Sequence, residues 1–455
     1  MSEPRKNKVR NEEFKIWKKS IPSLYQHISS FKPAFTTLFD NSDKIPKAVT
    51  FSHKIEPDRE KGILNASLLC SQGSEVFEVE FQLPLGLHTV TGDLPEPQFD
   101  PNLASMAGPV SPRWIYQGET IIKLEYIGGP DADFIAMASN GSLAWFKEEC
   151  KVPVYVMAEM MGPSTSYSMI HTQKARNEIV VDFASSVDGE TVVKSQQSMT
   201  NGGRDEHSIL KLVDNSQSPG ELLRTIHIKD TTVTHTVKFH DNHLFSVCSD
   251  DNRVRFYDTR GDGLPLWSLT DVNSGKLTCF DVSHVVQTLF ITGSSTGVLK
   301  LWDLRTIASA MHAKTEPMEI VSLYHSGGDS VADVQFNPSS PSEFISVGGS
   351  GNVYHWDLEY VFARDGEHNG DELMNSEELQ QQCLKFLHTG GGRRSIGSLN
   401  KRGTVAVHPI VDGVVGCVDA DGLLTVYKPF IGRDGSDEEE SEVDADADAD
   451  LDAAE

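Results

Sequence analysis

The chain has 455 residues, 38% hydrophobic and 23% charged, with a formal net charge of −26. That supplies enough apolar material for a large core, and no apolar run approaches the roughly 18–20 residues of a membrane span. The acidity argues against a broad basic face for nucleic-acid phosphates and favours basic partners. Twelve acids and no base fall within 434–455, so the rest of the chain carries −14. The opening MSEPRKNKVR has no apolar stretch behind it, so no secretory signal is expected.

In chain order, Arg5, Lys6, Lys8 and Arg10 make a basic arm that reads as a polar tail or part of a nuclear import signal. Over 11–30, Phe14, Trp17, Ile21, Leu24, Tyr25 and Ile28 recur at helical spacing, which predicts an amphipathic helix interrupted by Pro22. From about residue 48 the pattern turns to strands. SEVFEVEFQ (74–82) alternates; a proline-rich excursion from Pro84 to Pro112 predicts a long loop. Residues 113–148 give three strand-like runs, with Asn140–Gly141 as a hairpin turn. Residues 185–207 are polar and read as another loop before SILKLVDN (208–215).

The clearest signal follows. RFYDTR (255–260), KLWDLR (300–305) and YHWDLE (354–359) each close a β-rich run on aromatic-Asp, with Tyr257, Trp302 and Trp356 spaced by 45 and 54. Such a period is the signature of WD-repeat propeller blades. Asp258, Arg260, Asp303, Arg305 and Asp357 are the polar residues expected to close those blades. Taking Phe77, Trp145, Val213, Tyr257, Trp302, Trp356 and Tyr427 as equivalents gives seven blades. The expectation is an all-β, seven-bladed propeller over 33–430, a basic arm and amphipathic helix over 1–32, and an acidic disordered tail over 431–455. Closure of the ring predicts that residues near 35–50 pair with the last blade.

Two inserts interrupt the last blades, both read as loops. Residues 364–382 are acidic (Asp365, Glu367, Asp371, Glu372), and 390–403 are basic (Arg393, Arg394, Lys401, Arg402), a second import signal or partner contact. Six scattered cysteines lack C-x-x-C spacing, which argues for a reduced compartment and against zinc or disulfides. HDNH (240–243) falls at a blade turn, and DADADAD (444–450) is similar to a calcium loop but has Ala449 where glycine is needed. No phosphate loop, H-E-x-x-H or G-x-S-x-G occurs. The expectation is a non-enzymatic protein without metal or cofactor. YDTR and WDLR also match a pattern seen where propellers dock on ubiquitin-ligase adaptors, through Arg260 and Arg305.

Two resemblances bear on function. FKIWKKSIPSLYQHI (14–28) resembles the helix that opens the retinoblastoma-binding type of histone-chaperone propeller. That likeness implies a groove for a histone helix, shaped by Phe14, Trp17, Leu24 and Tyr25 and walled by Asp365, Glu367, Asp371 and Glu372. YQGET (116–120), NGSLAWFKE (140–148), MGPSTSY (161–167), TTVTHTVKF (231–239), DNHLFSVCSDDN (241–252), YHSGGDSVADVQF (324–336) and GGGRRS (390–395) resemble the yeast WTM family of WD-repeat transcriptional modulators. This resemblance implies a nuclear scaffold that represses meiotic genes and supports silencing, with histones or histone deacetylase corepressor subunits as partners. It carries a second implication, nuclear anchoring of ribonucleotide reductase small subunits. No sequence-specific nucleic acid or membrane contact is implied, and some cytoplasmic protein is compatible with it.

Overall fold

In the computed structural model, residues 24–34, 45–88, 106–107, 110–159, 181–200, 205–228, 233–271, 274–366, 376–389, 402–420 and 422–431 are described. They form seven sheets, six antiparallel sheets of four strands and one of five whose fifth strand is parallel. Blade I comprises Lys47–Asp58, Ile63–Gln72, Glu75–Pro84 and Trp114–Ile115; blade II, Ile121–Tyr126, Phe134–Ala138, Leu143–Phe146 and Tyr155–Met157. Blade III is Phe183–Ser185, Thr191–Thr200, Asp205–Asp214 and Leu222–His227; blade IV, Thr234–Phe239, Leu244–Ser249, Arg253–Asp258 and Trp267–Thr270. Blade V is Leu277–Val282, Leu289–Ser294, Val298–Asp303 and Val321–Tyr324; blade VI, Val331–Phe336, Glu343–Gly348, Val353–Asp357 and Leu384–His388. Blade VII takes Val405–Val407, Val415–Val418 and Leu424–Pro429 from one end of the chain and Tyr25–Phe31 from the other.

All seven expected anchors, from Phe77 to Tyr427, lie on the third strand of their blade, and all seven are buried. Val213, Tyr257, Trp302, Trp356 and Tyr427 pack there against the preceding blade, whereas Trp145 packs against blade III and it is its neighbour Phe146 that faces blade I. Blade VI shows what the repeat encodes. Trp356 Nε1 donates to Ser346 Oγ at 2.8 Å, and Ser346 Oγ lies 2.7 Å from His325 Nε2. His325 Nδ1 lies 3.0 Å from the Asp329 carbonyl. A carbonyl only accepts, so Nδ1 carries the proton and Nε2 accepts from Ser346. The imidazole stacks on Tyr354 with centroids 4.0 Å apart, and burial lowers its pKa to about 4.

Polar latches join the innermost strands around the central channel. Asp182 takes Lys123 Nζ of blade II at 2.8 Å on one carboxylate oxygen and the Val237 N–H of blade IV at 2.8 Å on the other. Asp281 repeats this two blades on, taking Lys238 Nζ at 2.7 Å and the Phe336 N–H at 2.8 Å. Each buried aspartate therefore fastens three blades. Four innermost strands also shift register after their first residue, between Ile121/Lys123, Thr234/Thr236, Leu277/Cys279 and Val331/Asp333. Bulges at one repeated site turn side chains inward without breaking the sheet.

Ring closure differs from the expectation. The strand that completes blade VII is Tyr25–Phe31, not residues 35–50; Lys47–Asp58 is instead the innermost strand of blade I. The helix expected over 11–30 is correspondingly wrong for its last third. YQHISSF fits both periods, and the open edge of Leu424–Pro429 selects the strand, a tertiary contact overriding local pattern. The loop expected at 185–207 is also corrected, since Thr191–Thr200 and Asp205–Asp214 form a ten-residue antiparallel ladder. Of the proline-rich excursion, Met106–Ala107 pairs in parallel with Ser30–Phe31 as a fifth strand. The acidic tail lies outside the described residues apart from Ile431.

Candidate interaction surfaces

The four strands of each blade alternate in direction, so all innermost strands begin on one rim, the upper, and end on the other. Third strands end on the lower rim, and with them both arginines of the adaptor pattern. Arg260 returns to Asp258 through Nε at 3.0 Å and Nη2 at 2.7 Å, which lowers the Asp258 pKa to about 2. Arg305 grips Asp303 the same way, with Nη2 at 2.6 Å, while Asp303 caps helix α1 (Leu304–Ala313) through the Arg305 N–H at 2.8 Å. The arginine side chains are 66% and 75% exposed. Asp357 accepts from the Glu359 N–H at 2.9 Å, opening helix α2 (Glu359–Gly366).

The acidic insert is not wholly a loop. Its flanks are α2 and helix α3 (Ser376–Cys383), seated on the lower rim of blade VI, where Glu359, Glu377 and Glu378 supply acids to first helical turns. Asp365 belongs to α2; Glu367, Asp371 and Glu372 lie outside the described residues. So do Phe14 and Trp17 of the expected groove. Leu24 is 39% exposed, and its carbonyl accepts from the Phe430 N–H at 2.9 Å. Tyr25 is buried, and its hydroxyl lies 2.8 Å from His388 Nδ1 in blade VI. Its ring stands edge-on to Phe386 and Tyr427. Tyr25 is therefore a seam residue between blades VI and VII and presents no groove face. Blades VI and VII do set the α2–α3 insert and Leu24 on adjacent stretches of the lower rim.

The basic residues divide. Arg5, Lys6, Lys8, Arg10, Arg393, Arg394 and Lys401 lie outside the described residues. Arg402, expected as a surface contact, is a channel residue. It precedes the innermost strand of blade VII, yet its guanidinium donates to the His235 carbonyl of blade IV, across the ring. Beside it, the Gly403 N–H donates to Asp333 at 3.0 Å, and Gln335 Nε2 donates to the Val405 carbonyl at 2.7 Å, locking blade VI to blade VII. Burial lowers the His235 pKa to about 3, with Arg402 adding to the effect. The signal that would have separated Arg402 from its basic neighbours is its place directly ahead of a predicted innermost strand.

Chemistry has few footholds. Among the described residues, no group of three or more His, Cys, Asp or Glu could hold a metal ion. Lys194 is fully buried, and burial lowers its pKa to about 8. A lysine so tuned can serve as a nucleophile, but this one donates to the Gly141 carbonyl at 2.6 Å and pairs with Glu159, which also holds Lys211. Of the six cysteines, all free, five are buried; burial pushes the Cys70 and Cys279 thiols up to about 12. No described helix is long and apolar enough to cross a membrane.

Comparison with known proteins agrees with this architecture. No family model matches the chain. It is 48% identical to the transcriptional modulator WTM2 of Saccharomyces cerevisiae, covering 92% of this chain and 95% of that protein. It is 44% identical to the transcriptional modulator WTM1 of the same yeast, covering 91% of this chain and 98% of WTM1. Identity to the yeast transcriptional regulatory protein UME1 is 42%, over 95% of this chain and 97% of UME1. Among solved structures, Raptor of Chaetomium thermophilum aligns with a TM-score of 0.53 at 12% identity, over 90% of this chain and 29% of Raptor, a likeness of fold alone.

Proposed function

The chain belongs to the family of these yeast transcriptional modulators, and on that premise we propose that it is a nuclear scaffold that modulates transcription by binding chromatin or corepressor proteins, repressing meiotic genes and supporting silencing. The observation that carries this reading is similarity over more than nine-tenths of the chain to three proteins described as transcriptional modulators or regulators. The physical role is display. A ring latched through its channel holds rim loops in fixed relation, so partners meet a preorganised surface. The acidic body and the acids of the α2–α3 insert favour basic partners such as histones, through salt-sensitive attraction.

The test is affinity purification from nuclear extract at physiological salt, read by mass spectrometry, run beside a variant with Asp365, Glu367, Asp371 and Glu372 changed to Lys. Recovery of histones or deacetylase subunits that is lost in the variant supports the scaffold and its lower-rim site. Recovery of ribonucleotide reductase small subunits without chromatin proteins moves the reading to a nuclear anchor. Recovery of ubiquitin-ligase adaptors, lost when Arg260 and Arg305 become Ala, moves it to a substrate receptor.

A further inference from the structure

Blade I has an outer edge unlike the others. In blades II to VII the third strand pairs with at least three residues of the fourth. In blade I the fourth strand is only Trp114–Ile115, paired at Glu75 and Val76, while Glu75–Pro84 runs ten residues. The Val76 carbonyl points outward, since it accepts from the Arg113 N–H at 2.9 Å. The ladder from Glu75–Pro84 to Ile63–Gln72 has no register shift, so strand alternation turns the N–H and C=O of Glu78, Glu80 and Gln82 to the same outer edge. Among the described residues no backbone group pairs with them there.

That bare edge borders a cleft of ≈ 470 Å³ whose lining includes Glu78, Glu80, Arg113, Glu148, Glu149 and Lys151. Four carboxylates face two cations. Arg113 is already taken, bridging Glu78 and Glu148, and Lys54 pairs with Glu148 from the other side. Glu80 and Glu149 are exposed, and no described cation pairs with either. We propose that the outer edge of blade I, over Glu78–Gln82, binds an extended basic peptide as an added strand, its lysine or arginine side chains reaching Glu80 and Glu149. An unpaired strand edge supplies main-chain affinity, and flanking side chains supply selectivity. The other occupant to weigh is the chain's own 89–105. Its sequence, with Pro95, Pro97, Pro101, Asp93, Glu96 and Asp100, complements neither the edge nor its charge. The proposal does not rest on the transcriptional role.

The test uses the full chain and a fluorescent eight-residue peptide alternating lysine and valine, titrated by anisotropy. Methylating the peptide amides on one of its two edges should weaken binding about tenfold, and on the other edge by less than about twofold. The Glu80→Lys, Glu149→Lys double variant should also lose about tenfold, and a glutamate–valine peptide should not bind. Amide exchange at Glu78, Glu80 and Gln82 should slow on adding the lysine peptide. Equal loss from either methylation would reduce the contact to charge attraction and overturn the proposal. So would unchanged affinity in the double variant. Amides protected before any peptide is added, with no binding, would show the chain occupying its own edge and would also overturn it.

Discussion

Blades IV, V and VI each fold from one contiguous stretch of chain, whereas blade VII joins strands from its two ends. The contiguous blades hold together through polar devices set at repeat spacing: Asp281 between Lys238 and the Phe336 N–H, and the Trp356–Ser346–His325 chain. At the seam the closing strand adds to its backbone ladder the packing of Tyr25 and Ile28 against Ile345, Phe386 and Tyr427 and a hydrogen bond between Tyr25 and His388, beside the Gln335, Gly403 and His355 contacts that join blades VI and VII. A blade that forms locally can afford a motif. A blade closed over the whole chain must first meet the entropy of bringing the ends together, and a complementary apolar edge meets it.

The largest effect expected is at the seam. Ile28→Asp buries an unpaired carboxylate there and should cost about 3–5 kcal/mol, read as a lowered urea midpoint. An unchanged midpoint would mean the ring does not depend on its closing strand. In the contiguous half, Asp281→Ala strands the Lys238 ammonium and the Phe336 N–H together and should cost about 3–5 kcal/mol. Asp281→Asn keeps an acceptor for Phe336, so it should cost less. Equal losses for the two would assign the whole effect to the ion pair.

Acid should strain both regions. Burial lowers the pKa of His27, His240 and His325 to about 4 and of His235 and His355 to about 3. The unfolded chain takes up these protons near pH 6.5 and the folded chain only well below it. The stabilisation is therefore complete above 6.5 and lost as pH falls toward 4, at about 2 kcal/mol per histidine by pH 5. Thermal melts at pH 7.5 and 5 measure the sum. His27→Gln in the seam and His325→Gln in blade VI should each flatten the slope.

At the junction of blades VI and VII the sign reverses for an acid. Burial, with Asp412 beside it, raises the Glu343 pKa, so its charge opposes folding once pH exceeds the usual carboxylate range. Glu343→Gln keeps an acceptor for Asn337 Nδ2 and should stabilise at pH 7 by up to about 1 kcal/mol, with no gain at pH 4. The smallest effect is expected at Arg260→Ala. Among the described residues its guanidinium pairs only with Asp258, at an exposed site, so the urea midpoint should not move. A shift there would give the lower rim a structural part in blade closure.

What could be read in advance follows the same division. Tyr257, Trp302 and Trp356 announce themselves because aromatic-Asp is local, and they calibrate Phe77, Trp145, Val213 and Tyr427. The strand Tyr25–Phe31 could not be read, because its reason for being a strand lies about 400 residues away at Leu424–Pro429. The ladder across 191–214 hid behind polar residues such as Lys194, whose partner Glu159 comes from blade II. Arg402 looked like its basic neighbours, because nothing local says that His235 waits across the channel.

The most direct test of the transcriptional scaffold is to tether the chain upstream of a chromosomal reporter gene and count its transcripts. Repression by the intact chain is expected, lost in Ile28→Asp, which should weaken ring closure, and kept in Arg260→Ala. Transcript levels that ignore the tethered chain, with the protein folded and bound at the promoter, would contradict it.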